Sequence, residues 1–347
     1  MAVTRRGKTL IAIVVILVVG AGAVAVLALT GNAPEIVKEA LPGDQGEEAP
    51  PACPLTGLPA PGGAVPERPA LAIKVENAPE ARPQYGLDTA DIVYEEPVEG
   101  GVTRFIVIYQ CADAKRVEPV RSARTSDPAI LLQYGQPAFG YADAAGYVQK
   151  AVQRNKAILD LNWKKLPEAY HEDSSREAPH HLYTSTKELW RVAQRRNLPV
   201  PEPVFEYSEE FPDVKARKVR QVHLYFSDFS DVYWKWRADA WMRSHDGVAH
   251  KLAGAGPVQA DNVLVQIVKL KNTGRKDVVG TIVPEVQSIG SGKAYLLRDG
   301  RMIIGKWERK SEADVTTFLT RTGDTFLLKP GNTWIELYPA DRPKVEV

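Results

Sequence analysis

Three carboxylates recur at intervals of four: Asp91, Glu95 and Glu99. On an extended strand, even spacing puts side chains on one face. Two carboxylates about 5–9 Å apart suit acid, base or nucleophilic attack on a glycosidic bond. Glu95 and Glu99 are therefore candidate catalytic groups. The competing reading is a charged rim, in which these acids pair with Arg82, Arg104 and Arg124, the commoner fate of such charges. Arg121, Ser122 and Arg124 form a second set. Guanidinium forks grip phosphate or carboxylate bidentately, unless the hairpin acids take them first. The candidate ligand-binding residues are thus Arg82, Asp91, Arg104, Arg121, Ser122 and Arg124, with Arg176 from a polar loop further on.

Histidine chemistry is thinner. His180 is a candidate acid/base, but its neighbour His181 cannot easily share a metal with it, and His171 would need a carboxylate from the hairpin. Hydrogen-bonded structural histidines are the simpler reading, and no metal or cofactor is expected. Ser122, His180 and Asp91 make a triad only on paper, because no Gly-x-Ser-x-Gly elbow accompanies them. Gly290-Ser291-Gly292 reads as a turn, without the Lys-Ser/Thr that completes a phosphate loop. The tryptophans, including Trp234, Trp236, Trp241, Trp307 and Trp334, could stack on sugars, yet core packing is the ordinary use of this residue.

The elements that must hold these groups centre on residues 71–124. An apolar run at 71–75 reads as a strand. Two β-branched and aromatic runs, 91–98 and 102–111, flank Glu99-Gly100-Gly101 and predict a hairpin. Pro97 lacks a backbone donor, so the first of them should end early or lie at an edge. Ser126-Asp127-Pro128 opens a helix to about residue 134. A short strand at 138–142 and a helix at 146–155 follow. Ser185 and Glu188 form a capping box. The fold class expected is α+β, with a mixed α/β domain over residues 54–207 built around the hairpin. Residues 215–340 read as strand after strand, with turns at Asp299-Gly300 and Pro330-Gly331-Asn332, which suggests a small β-sandwich or barrel. Strands are expected at 262–270 and 278–283, and a helix or loop at 311–319.

The N-terminus gives location. Arg5, Arg6 and Lys8 precede an uncharged run from Leu10 to Leu29. Twenty residues of helix span roughly 30 Å, the hydrocarbon core of a bilayer. With residues 1–9 basic and the following stretch acidic, the positive-inside rule puts the tail in the cytoplasm and the bulk outside. A cleaved signal peptide is the alternative. Residues 30–53, rich in Pro, Gly, Ala and Glu, read as a disordered tether. Cys53 and Cys111 are the only cysteines. Outside the cell they suit one disulfide, with two separate buried thiols as the alternative. The net charge is +1 and no long basic run occurs, so nothing favours nucleic acid.

Several ordered strings carry a resemblance: Pro54-Leu55-Thr56-Gly57, Ala81-Arg82-Pro83-Gln84, Ala90 to Glu95, Glu99 to Phe105, and Pro119 to Arg124. They resemble the YerB-like family of bacterial extracytoplasmic proteins, a domain of unknown function in N- and C-terminal parts. The resemblance covers nearly all of the chain after residue 53. It implies attachment to the envelope and implies no reaction. The chain departs from lipid-anchored members in having no cysteine between the apolar run and Cys53. It also departs at His181, where the family pattern has Asn, and at Asp143, where it has a small residue. The function expected is a membrane-anchored envelope binding or accessory module with an Arg/acid cleft, its partner a cell-wall polymer or envelope protein. The alternative is a hydrolase or transferase acting on a wall polymer.

Overall fold

The computed structural model describes residues 50–277 and 280–347. The expected anchor, tail and most of the tether lie outside these residues. Among the described residues, no helix is long and apolar enough to cross a membrane. Pro50–Val347 is one compact unit, and both large hydrophobic cores lie within it.

The first half supplies β1 (Leu71–Glu76), β2 (Ile92–Pro97), β3 (Thr103–Tyr109), β4 (Ala138–Tyr141) and β5 (Leu159–Asn162). It also supplies three helices, α1 (Asp127–Leu131), α2 (Gly146–Arg154) and α3 (Thr186–Ala193). After β6 (Ala216–Lys218), a meander follows: β7 (Gln221–Ser227), β8 (Ser230–Arg237), β9 (Ala240–His245), β10 (Val248–Ala249) and β11 (Gln259–Ala260). The last strands are β12 (Asn262–Lys276), β13 (Ile282–Gln287), β14 (Gly290–Arg298), β15 (Arg301–Arg309), β16 (Thr317–Thr320) and β17 (Thr333–Pro339).

A 12-stranded sheet dominates, in the order β16-β15-β14-β12-β17-β2-β3-β1-β4-β5, with β13 on β12 and β6 on β15. The final strand is the keystone. β17 runs parallel to both β12 and β2, and so joins strands from the two halves of the sequence. All seven of its residues are buried. Its side chains alternate, as the pleat demands: Trp334 and Tyr338 enter one core, Ile335 and Leu337 the other. The expected hairpin forms, in a register from Ile92 opposite Ile108 to Pro97 opposite Thr103. Gly100 and Gly101 supply the left-handed turn, at φ 75° and 77°. Pro97 ends β2, although the strand itself is central rather than at an edge.

The five-stranded meander covers one face of the large sheet. Val222, Leu224, Trp234 and Trp241 pack there against Val93, Phe105, Val107 and Val263. α1 and α2 cover the other face, over Ala72, Ile92, Ile106 and Ile108. The β-rich character of the second half is as expected, but its strands do not close into a sandwich or barrel of their own. Those after residue 262 join the large sheet, because β12 finds partners in both β17 and β14. Residues 311–319 form no helix; 317–320 are β16. The strand expected at 278–283 begins outside the described residues and is seen from Ile282. The capping box closes as expected, Ser185 accepting from the Glu188 amide. Ser126 does not cap α1; its hydroxyl accepts from the amide of Val286 at 2.9 Å. Cys53 and Cys111 are joined in a disulfide, with Cα atoms 6.0 Å apart.

Candidate functional site

Adjacent residues of β2 point to opposite faces, so Glu95 and Glu96 belong to different polar clusters. Spacing put Glu95 on one face with Asp91 and Glu99, but β2 spans only 92–97. Asp91 lies before the strand and Glu99 in the turn beyond it. The three acids therefore do not share a face.

On the helix side, Lys74 of β1 reaches both Glu96 and Asp127, the latter at 2.7 Å, and none of the three side chains is exposed. Burial pushes the Glu96 carboxyl up to about 7, against the opposing pull of Lys74. Above this buried trio lies a rim made by the turn and the 121–124 loop. Arg124 grips Glu99 with Nε at 2.7 Å and with Nη2, and spends Nη1 on the Ala123 carbonyl at 2.8 Å. Arg104 donates to the Ser122 carbonyl at 2.9 Å and lies 3.6 Å from Glu99. Burial, with Arg121 nearby, lowers the Arg104 pKa to about 10. Arg121 Nε donates to Glu76 at 2.8 Å, and His180 Nδ1 lies 2.8 Å from the other oxygen of Glu76. The structure thus gathers Arg104, Arg121, Ser122, Arg124, Glu99 and His180. It also places a carboxylate against each of the three arginines. The Arg121 and His180 side chains keep about a fifth of their surface open to solvent.

On the meander side, Glu95 is fully buried. It accepts from Thr103 Oγ1 at 2.6 Å, from Asn77 at 3.3 Å and from Arg243 of β9. Arg243 Nη1 also faces His250 Nδ1 at 2.7 Å and His245 Nδ1 at 3.1 Å. A guanidinium only donates, so His250 accepts at Nδ1 and offers Nε2–H to Gln84 Oε1, 2.8 Å away. Burial, reinforced by Arg243 and Arg82, pushes both histidines far down and holds them neutral. Glu336 of β17 stands directly opposite Glu95 in register. It accepts from Trp234 Nε1 at 2.8 Å. Burial, then the charge of Glu95, pushes its carboxyl well above the ordinary value, so it keeps its proton.

That proton has a measurable consequence. Above the unfolded value of 4.5 the unfolded chain loses the proton while the folded chain keeps it. Stability then falls as pH rises, by up to about 1.4 kcal/mol per unit, until the folded carboxyl titrates. Glu336→Gln removes this term and keeps an oxygen for Trp234. Its melting temperature should exceed the parent's at pH 8 and converge with it near pH 4. An equal deficit at both values would sink the assignment.

Of the remaining expected residues, Arg82 joins the meander-side cluster, and Asp91 and Arg176 lie outside both clusters. Arg82 bridges Asn77 O at 2.9 Å, Asp246 at 2.8 Å and His245 Nε2 at 2.7 Å. Asp91 accepts from the amides of Gln110 and Cys111 and braces the hairpin end beside the disulfide; burial raises it to about 6. Arg176 donates to the Ala81 carbonyl at 3.0 Å and lies 3.4 Å from Glu118. Trp234, Trp241, Trp307 and Trp334 are core residues. Among the described residues, no group of three or more His, Cys, Asp or Glu could hold a metal ion. Sequence reasoning missed Lys74, Glu76, Asp127, Arg243, His245, His250 and Glu336. A faint signal existed in charges set inside apolar strands, Leu-Ala-Ile-Lys-Val and Trp-Ile-Glu-Leu-Tyr.

With this geometry in view, comparison with known proteins is informative. Residues 55–199 match the N-terminal domain of a protein of unknown function (DUF3048), and residues 222–335 match its C-terminal domain. The chain belongs to this YerB-like family. It is 28% identical over 301 residues to the Bacillus subtilis (strain 168) protein named "Putative lipoprotein YerB", covering 82% of this chain and 86% of that one. The crystal structure of YerB protein from Bacillus subtilis superposes with a TM-score of 0.71 at 26% identity, over 83% of this chain and 96% of that one.

Proposed function

We propose that the chain is a membrane-tethered, extracytoplasmic module that binds a cell-envelope ligand at the Arg121–Glu76–His180 and Arg124–Glu99 rim. The observation that carries this reading over a hydrolase is the burial of Glu95. Its carboxylate is fully enclosed and already engaged by Thr103, Asn77 and Arg243, so no substrate reaches it while the meander stays in place. Glu99 reaches the rim, but the Arg124 fork holds it as an ion-pair partner. The most exposed charged groups of the rim are Arg121 and His180, which suit an anionic or peptide ligand. The Cys53–Cys111 disulfide fits an oxidising compartment. The relative's name, a lipoprotein, supports a membrane-associated place outside the cytoplasm. The apolar run at 10–29 supports a single helical anchor for this chain.

Residues 50–347 should co-sediment with purified cell-wall sacculi in a saturable, salt-sensitive manner. The Arg121→Ala/Arg124→Ala protein should bind about tenfold more weakly, the loss of roughly one charge-assisted contact, and no fragments should appear in the supernatant. Fragment release abolished by Glu99→Gln would replace this reading with the hydrolase. Full binding by the folded double variant would remove the rim from it.

A further inference from the structure

A cavity of about 430 Å³ lies between α2 and the β12–β13 ribbon, and none of the rim residues just described lines it. Tyr147, Lys150 and Arg154 are spaced by three and four on α2 and so share one helix face. Lys271, Thr273 and Arg275 are spaced by two on β12 and also line the cavity. Two rows of cations therefore border one slot. Four positive charges line the slot with a single acid, Glu285. Among the described residues, none of the four cations has an ion-pair partner. Arg275 lies over the Tyr147 ring at 4.0 Å, which places its guanidinium without neutralising it. The Thr125 hydroxyl lines the same cavity, and its oxygen has no hydrogen-bond partner among the described residues. The ribbon wall is fixed in advance, by the Val286 amide on Ser126 and by the buried Val286 side chain.

The contrast with the rim is chemical. There, each arginine already holds a carboxylate. Here, like charges are kept together in a concave site with almost no counter-charge, an arrangement that focuses positive potential. We infer that this slot binds a linear phosphate-bearing polyanion. Two walls of Lys and Arg can contact tetrahedral phosphate oxygens from both sides, with Arg forks bidentate. Each wall carries two cations, which favours a chain of phosphates over one ion. The cations face each other across a cavity and do not form a flat face, which favours a polymer over a bilayer surface. The slot shares no lining residue with the Arg121 rim.

The test is titration of residues 50–347 with long-chain inorganic polyphosphate, followed by calorimetry at several salt concentrations. Inorganic phosphate, polyglutamate and phosphatidylglycerol vesicles run in parallel. Polyphosphate should bind saturably and far more tightly than inorganic phosphate or polyglutamate. Lys150→Gln/Lys271→Gln should weaken it at least about tenfold and lower the slope of log K against log salt by roughly one per cation removed. Both positions are exposed, so the melting temperature should not change. Arg121→Ala should leave polyphosphate affinity intact, and the slot variant should leave Arg121-dependent sacculus binding intact, so either site can fail alone. Equal loss in Arg195→Gln/Arg196→Gln, in the exposed turn just after α3, would reduce the effect to net charge and overturn the inference. So would equal affinity for polyglutamate, or binding to vesicles alone.

Discussion

Lys74→Met should lower the unfolding free energy by about 3–5 kcal/mol at pH 7, the cost of stranding buried charge. Lys74 is the single cation between Glu96 and Asp127, and all three side chains are sealed from water. Methionine fills the volume but removes the one cation that touches both carboxyls, leaving Arg104 and Arg124 as the nearby positive charges. Glu96 already sits near 7 with the lysine present, because burial outweighs its pull. Without the lysine it is pushed higher. A carboxyl raised in the folded state costs stability above its unfolded value of 4.5 and stops costing it below that value. The deficit in a urea titration should therefore be largest at pH 8 and shrink toward pH 5. Lys74→Met/Glu96→Gln/Asp127→Asn, which removes the charge as a set, should recover most of the loss. A deficit under about 1 kcal/mol at pH 7 would mean that water reaches this cluster.

Arg243→Met should cost a similar amount, about 3–5 kcal/mol, for the same reason on the opposite face. The guanidinium is the cation nearest to Glu95, which stands opposite Glu336 on the adjoining strand. It also lies over the faces of Phe105 and Trp334, 5.5 Å from each ring centre. Its loss should disturb the core between sheet and meander, visible as a change in near-ultraviolet tryptophan signal. The pH profile separates this variant from a simple packing defect. In the parent, burial holds His245 and His250 neutral, with Arg243 and Arg82 adding to it. Stability is then lost as pH falls below 6.5, where the unfolded chain takes up protons that the folded chain refuses. Removing Arg243 takes away one source of that refusal, so the acid limb should become shallower while the loss at pH 8 is full. A pH-independent deficit would show that Arg243 acts only through packing.

How much of this was legible beforehand depends on the range of the interaction. Local rules located the hairpin about Gly100 and Gly101, the capping box at Ser185 and Glu188, and the apolar strand at β1. Each is written within a few residues, in turn chemistry or in a two-residue period. The failures came where a partner lies far along the chain. Ser126 looked like a helix cap, but the Val286 amide, 160 residues away, takes its hydroxyl. Asp91, Glu95 and Glu99 looked like one face, but a strand only six residues long puts the first and last outside the pleat.

The sequence by itself determined the family, the α+β class and the β-rich second half. Those follow from local pattern and from ordered strings. Only the tertiary structure decided that β17 would enter between β2 and β12, because a strand's partners are chosen by which apolar faces it completes, not by its own composition. That choice sets Glu336 against Glu95 and seals a carboxylate that looked free to react. It likewise took the fold to bring Lys150 and Arg154 across from Lys271 and Arg275. More than a hundred residues separate the two rows in the chain, and no periodicity records which helix face a distant strand will meet.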